Sequence, residues 1–222
     1  MGIFNAIVDG MTWLLNWLYQ ITGSFGLANY GIAIILLTVL IKVVLYPLTK
    51  KQMKSMLAMQ QLQPKVKEIQ DKWKDRDPEK MQQMIMDLYK ENNVNPASGC
   101  LPLLVQMPIL FALYRSLFDF PYINEAHASF IWVHNLSATD SLYILPLLAG
   151  VTTFFQSKMT MMSTEPTQRM MLYTMPLFIA WVSASVPAGL ALYWVVFNIV
   201  GIIQQYFINK QMSSFKKEAE NS

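Results

Sequence analysis

Long apolar stretches dominate this chain, at residues 27–48, 101–118, 142–157, 170–186 and 188–208. No other feature limits the fold as tightly. A hydrocarbon layer about 30 Å thick takes roughly 20 helical residues to cross. Any chain inside it must satisfy its own backbone hydrogen bonds, which leaves helices or closed barrels. Hydrophobic residues make up 54% of the 222 and charged ones only 14%, against about a quarter in ordinary soluble domains. The expectation is therefore an all-α polytopic membrane protein with five transmembrane helices. Only Ser185-Val186-Pro187-Ala188-Gly189 separates the last two stretches, which predicts that they form an antiparallel hairpin.

Charge sets the orientation. Ten basic residues lie between the first two stretches, from Lys50 to Lys90; Lys158 and Arg169 lie between the third and fourth, and Lys210, Lys216 and Lys217 in the tail. Residues 1–26, 119–141 and 187–189 contain none, and Arg115 is the one dissenter. The positive-inside tendency then predicts an N-terminus outside and a cytoplasmic C-terminus, with several passes through the membrane. No Lys or Arg precedes an apolar core at the N-terminus, so no cleavable signal peptide is expected. A net charge of +3 gives no reason to expect nucleic acid, and the single cysteine, Cys100, excludes an internal disulfide.

The chain divides accordingly. In residues 1–26, Ile3, Phe4, Ile7, Val8, Met11, Leu14, Leu15 and Leu18 oppose Asn5, Asp9, Thr12 and Asn16. This pattern predicts an amphipathic helix lying flat on the outer face. Residues 27–48 form the first span. Residues 49–97 read as a cytoplasmic helical hairpin, with one helix through Met53, Met56 and Trp73 and a break at Asp75-Arg76-Asp77-Pro78. Pro78 opens the second helix through Met81 and Met84, which Asn92-Asn93 closes. Residues 98–208 carry spans two to five, with an outer loop at 119–141 and an inner loop at 158–169. Residues 209–222 form a cytoplasmic tail.

Lys42 is the first candidate for function. A cation at mid-bilayer costs roughly 2.5–3.5 kcal/mol on insertion scales, so chains usually turn it toward a partner or a wet cavity. Snorkelling is the alternative, since Lys50 is eight residues away, roughly 12 Å of helix. Thr38 shares its helix face, and Gln106 and Gln156 lie in the second and third spans. In the fifth, Trp194, Asn198, Gly201 and Gln205 form one stripe, with Tyr193 beside it. These polar residues could bond one helix to another or line a hydrated groove with one positive charge. Eleven of the 16 methionines lie on the predicted inner side: six in the hairpin, including Met53, Met56, Met81 and Met84, and five at 159–171. Flexible thioethers suit a surface that must accept varied apolar partners. An enzyme is not expected, and neither is a metal or cofactor: His127 and His134 lack metal-binding spacing, and no Gly-rich phosphate loop occurs.

Several motifs resemble the YidC insertase family. They are Thr38 to Lys42 followed by Tyr46-Pro47-Leu48-Thr49-Lys50, then Gln63-Pro64-Lys65, Leu88-Tyr89-Lys90, Val94-Asn95-Pro96 and Gly99-Cys100-Leu101-Pro102 through Gln106-Met107-Pro108. Tyr143-Ile144-Leu145-Pro146, Pro187-Ala188-Gly189-Leu190, Tyr193-Trp194 and Ile202-Ile203-Gln204-Gln205 continue the series in family order. The likeness runs from Asn29 to Gln205, and the compact five-span form without a large outer domain resembles bacterial members, which implies the plasma membrane of a bacterium. It implies a membrane insertase and chaperone that needs no nucleotide hydrolysis. Substrates would pass through a hydrophilic groove open to the cytoplasm and to lipid. Lys42, Thr38, Gln106, Gln156, Tyr193, Trp194 and Asn198 would form that groove, and Met53, Met56, Met81 and Met84 would receive substrate. Implied partners are nascent membrane proteins, the ribosome, the Sec translocon and the lipid bilayer. Two features depart from the family: lysine stands where arginine is usual, which loses the planar fork, and the tail is short and partly acidic. The alternatives are a small transporter or channel with Lys42 as an anion site, or a purely translocon-associated assembly chaperone.

Overall fold

The computed structural model describes residues 2–95, 101–118, 120–160 and 166–220. Pro96, Cys100, Met161 and Met162, all named above, lie outside them. The described chain is helical, in the order α1 Gly2–Ser24, α2 Tyr30–Val44, α3 Tyr46–Trp73, α4 Pro78–Glu91, α5 Leu101–Phe118, α6 Ile144–Thr160, α7 Pro166–Ser183 and α8 Ala188–Glu220. A 3-10 turn at Glu125–Ala128 interrupts the long loop before α6. Among the described residues no strand forms; one isolated bridge joins Phe130 and Val133.

The first apolar stretch does not run straight. Asn29 caps α2 by accepting from the Gly31 and Ile32 amides at 2.8 and 3.4 Å. The helix stops at Val44, and α3 leaves at 60°. Pro47 explains the break, because it has no N–H to donate and its ring clashes with the carbonyl four residues back. The cut shortens α2 to 15 residues, roughly 22 Å. Among the described residues, Ala188–Lys210 alone is long and apolar enough to cross a bilayer by itself, and the bent α2–α3 pair makes a second candidate. Val105–Phe118 is a shorter apolar helix.

The core is built from α1, α2, α5, α6, α7 and α8 together with the loop at 120–143. Leu15, Ile34, Leu37, Leu113, Leu117, Leu136 and Tyr193 are almost wholly enclosed in it. α1 packs along α2 and α5. Two residues of its expected polar face make that contact: Thr12 Oγ1 lies 2.7 Å from Ser116 Oγ, and Asn16 Oδ1 accepts from the Tyr30 hydroxyl at 2.9 Å. Phe4, Ile7, Trp13 and Trp17 are left exposed. The amphipathic pattern was therefore used partly for helix packing, with hydrogen bonds taking the polar side.

The expected hairpin of the last two apolar stretches is corrected. α7 touches α8 only slightly, and α6 packs extensively on both. Small residues make this possible: a Cβ added at Gly150 of α6 would lie 3.0 Å from Ala180 Cβ and 3.1 Å from the Pro176 carbonyl of α7. On its other side, α6 offers Thr152 and Thr153 to Asn198 of α8.

α3 and α4 form a separate small cluster in which Met59, Leu62 and Val66 meet Tyr89 and Val94. Asp77 caps α4 by accepting from the Lys80 amide at 3.0 Å, with Pro78 in the first turn. Many large apolar side chains remain on the surface. Leu40, Val43, Leu147, Val151, Phe155, Leu177, Trp181 and Ile203 are all exposed.

Candidate functional site

Helices α2, α3, α5, α6 and α8 converge on a partly open cavity of about 340 Å³. Lys42, from the last turn of α2, lies at its wall and is 6% exposed. The side chain does not reach out to solvent; its Nζ sits 3.3 Å from the centroid of the Phe197 ring on α8. Such a cation–π contact is worth about 2 kcal/mol when desolvated. Among the described residues no Asp or Glu lines the cavity, and none pairs with the ammonium there.

α8 can approach this group because residue 201 is glycine. A Cβ there would lie 2.8 Å from Gln156 Nε2 and 3.0 Å from Lys42 Nζ. Three residues later, Gln204 Nε2 donates to the Lys42 carbonyl at 3.1 Å. Across the cavity, Gln106 Nε2 donates to the Tyr193 hydroxyl at 2.7 Å, tying α5 to α8. Among the described residues, three buried polar atoms of lining side chains have no hydrogen-bond partner: Gln52 Nε2, Gln156 Oε1 and Gln204 Oε1. A buried amide atom left so costs about 1–3 kcal/mol. The lining is more apolar than polar, and the volume equals that of several water molecules at about 30 Å³ each. Met53 and Met56 of α3 form the apolar side.

The expected groove residues separate into two groups. Lys42, Gln106, Gln156, Met53 and Met56 line the cavity together. The others lie off it. Thr38 is fully buried and donates to the Ile34 carbonyl of its own helix at 2.7 Å. Asn198 Nδ2 is spent on Thr153 Oγ1 at 2.8 Å and Thr152 Oγ1 at 3.1 Å. Tyr193 is buried in the core behind Gln106, and Trp194 packs against the same core. Met81 is half-buried on α4 and Met84 is 37% exposed there.

α8 meets the cavity through Phe197, Gly201 and Gln204, a stripe rotated by about one residue from the one read in the sequence. Thr49, Gln52 and Thr160 also line it. Helical periodicity gave no signal for Gln52, because the bend at residue 45 resets the phase between Lys42 and α3.

Residues 17–217 match the family described as 60Kd inner membrane protein. The chain belongs to that family. It is 42% identical over 215 residues to the membrane protein insertase YidC of Geobacter sulfurreducens, covering 96% of this chain and 39% of that protein. The insertase YidC of Wolinella succinogenes is 43% identical over 219 residues, covering 98% and 40%. The chain thus spans about two-fifths of the length of these relatives. Among solved structures it is similar to an active YidC insertase crystallised with its first transmembrane domain resolved. That match has a TM-score of 0.71 and 29% identity, over 92% of this chain and 46% of the other. The fold is that of this family of helical membrane proteins, and the cavity around Lys42 lies inside the matched region.

Proposed function

We propose that this chain is a membrane insertase and chaperone, acting on nascent membrane proteins through the cavity at Lys42. The observation that carries this reading is the buried ammonium at the wall of a partly open cavity, with no counter-ion among the described residues. A soluble monomer seldom exposes so much apolar surface, and lipid around the bundle accounts for it. In this reading the chain makes five passes, with the loop at 120–143 outside and α3, α4 and the C-terminal end of α8 in the cytoplasm. The positive-inside pattern supports that placement.

The mechanism follows from solvation. A wet cavity reaching into the bilayer shortens the hydrocarbon path that a polar segment must cross. Lys42 attracts acidic groups of that segment, while the substrate's apolar helix gains free energy by entering lipid, so no nucleotide is needed and no catalytic group is assigned. The α3–α4 pair, with Met53 and Met56 at the mouth and Met81 and Met84 further out, receives the incoming chain. The ribosome and the Sec translocon are the partners that the family resemblance implies for the cytoplasmic face and the lateral side.

Protease protection in liposomes tests the proposal, with a single-span substrate carrying one acid in its outer segment. Wild type protects the segment, whereas Lys42→Ala and Lys42→Glu lower protection roughly tenfold, a change of about 1.4 kcal/mol. Making the substrate's acid basic restores protection with Lys42→Glu. Unchanged protection in both variants would remove the charge from the mechanism. No protection with wild type would favour a translocon-dependent chaperone.

A further inference from the structure

Two turns of the loop between α5 and α6 hold large apolar residues in the left-handed backbone region: Ile131 at φ 51° and Tyr143 at φ 55°. For a β-branched side chain this is a genuine outlier, at a cost of order 1–3 kcal/mol. Ile131 opens the turn that the Phe130 and Val133 amides close on each other's carbonyls at 2.8 Å. Glycine ordinarily fills such a position. Internal packing does not explain the isoleucine, because it is 79% exposed. At the second turn Tyr143 is 62% exposed and its neighbour Leu142 59%. One buried group holds both turns: Asp140 accepts from Trp132 Nε1 in the first and from the Leu142 amide in the second. The first turn is also fixed to the bundle. Asn29 Nδ2 donates to the Ser129 carbonyl at 2.7 Å, and the Phe130 ring lies where a Cβ on Gly31 would be. The tips are therefore rigid, and they sit by the start of α2, at the end away from Lys42.

We propose that Ile131, Leu142 and Tyr143 are an interfacial anchor that seats this loop in the headgroup–acyl boundary of the bilayer, on the outer leaflet in the orientation given above. Two observations favour lipid as the occupant. Apolar surface continues from the tips along the chain that carries them: Phe25 and Leu27 before α2 are exposed, as are Leu36 and Leu40 within it. Residues 120–143 also contain no Lys or Arg but do contain Trp132, Tyr122 and Tyr143, and Trp and Tyr are the residues enriched where membrane meets water. Without basic residues the driving force is buried apolar area, so anionic lipid is not required. The strain at Ile131 is offset when its side chain leaves water. The anchor goes beyond the insertase reading and does not depend on it, because a membrane bundle of any activity would be seated in the same way.

The test uses the full chain in phosphatidylcholine liposomes, with Cys100→Ala and an environment-sensitive fluorophore on Ile131→Cys or Leu142→Cys. Ala126→Cys, at an exposed residue of the same loop, is the comparison. Nitroxide carried near the lipid headgroup quenches the labels at 131 and 142. Iodide, present on both sides of the vesicle, quenches them severalfold less than the label at 126. Adding anionic lipid changes neither result. Ile131→Asn removes the apolar tip and keeps the turn, since asparagine tolerates a left-handed backbone; nitroxide quenching at 142 then falls severalfold. Labels at 131 and 142 as open to iodide as the one at 126 would overturn the anchor. Shielding that grows with the protein-to-lipid ratio would assign the patch to a second copy of the chain, and shielding only with anionic lipid would assign it to charge; each overturns it too. Unchanged quenching at 142 with Ile131→Asn would show that the strained tip seats nothing. None of these outcomes bears on whether the chain inserts a substrate, which the protease-protection assay reads separately.

Discussion

At the end of the bundle that carries residues 120–143, Asp140 is 2% exposed and accepts from the Leu145 amide at 2.8 Å, the Leu142 amide at 3.1 Å and Trp132 Nε1 at 3.4 Å. Nearby, Tyr30 donates to Asn16 and accepts from the Ile123 amide at 2.9 Å, and the Tyr19 hydroxyl lies 2.7 Å from His127 Nδ1. The Ala188 and Gly189 amides bond the Ala138 and Leu136 carbonyls, closing the loop over the start of α8. The end where α3 leaves is built differently. Lys42, Gln52, Gln156 and Gln204 surround open space with groups that have few partners or none. Paired buried polar groups fix one arrangement, whereas unpaired ones await a partner. One end is a plug and the other a receptacle, as the proposed one-sided access requires.

The sharpest way to break this contrast is to unpair the plug. Asp140→Ala strands three donors at once and should lower stability by about 2–3 kcal/mol, read as an earlier thermal or denaturant midpoint in detergent. A neutral outcome would show that the loop does not hold the end closed. A smaller effect is expected at the receptacle. Gly201→Ala pushes only the flexible tips of Gln156 and Lys42, and alanine in a helix gains about 0.5–1 kcal/mol over glycine. Stability should therefore hold or rise while insertion of an acidic-segment substrate falls severalfold. Loss of stability instead would mean that this wall is as tightly packed as the plug.

The smallest expected effect concerns pH. Burial pushes the Tyr122 phenol above its ordinary value of 10.0, with the Ser137 hydrogen bond opposing and Tyr30 adding to the rise. The folded state then holds the proton more tightly than the unfolded one. Stability from this group is complete below about pH 10 and is lost as pH rises through the folded value. Tyr122→Phe should flatten that alkaline decline, and an unchanged slope would place the titration elsewhere.

Much of the helical order was legible. Asp77-Pro78 marks the start of α4 and Asn92 its end, because caps and proline act locally. Lys42 stood out because a charge in an apolar run is costly wherever the helix points. Partner choice was not legible. Ser185 to Gly189 is a tight connection, yet α7 turns to α6, since Gly150 gives α6 a closer approach than a loop alone can impose. The polar stripe of α8 was visible as a period, but which of two adjacent stripes meets the cavity depends on rotation about the helix axis. Packing sets that rotation: Asn198 is drawn to Thr152 and Thr153, and this turns Phe197, Gly201 and Gln204 toward Lys42.

Composition, periodicity and capping thus determined a helical membrane protein with a lysine inside its first apolar stretch, because solvation and hydrogen-bond closure act on each segment separately. The bend at Leu45 that brings Gln52 alongside Lys42, and the glycine that admits both Lys42 and Gln156 to α8, became meaningful only in three dimensions. A cavity is a property of several helices at once, and no single helix carries the information about what it will face.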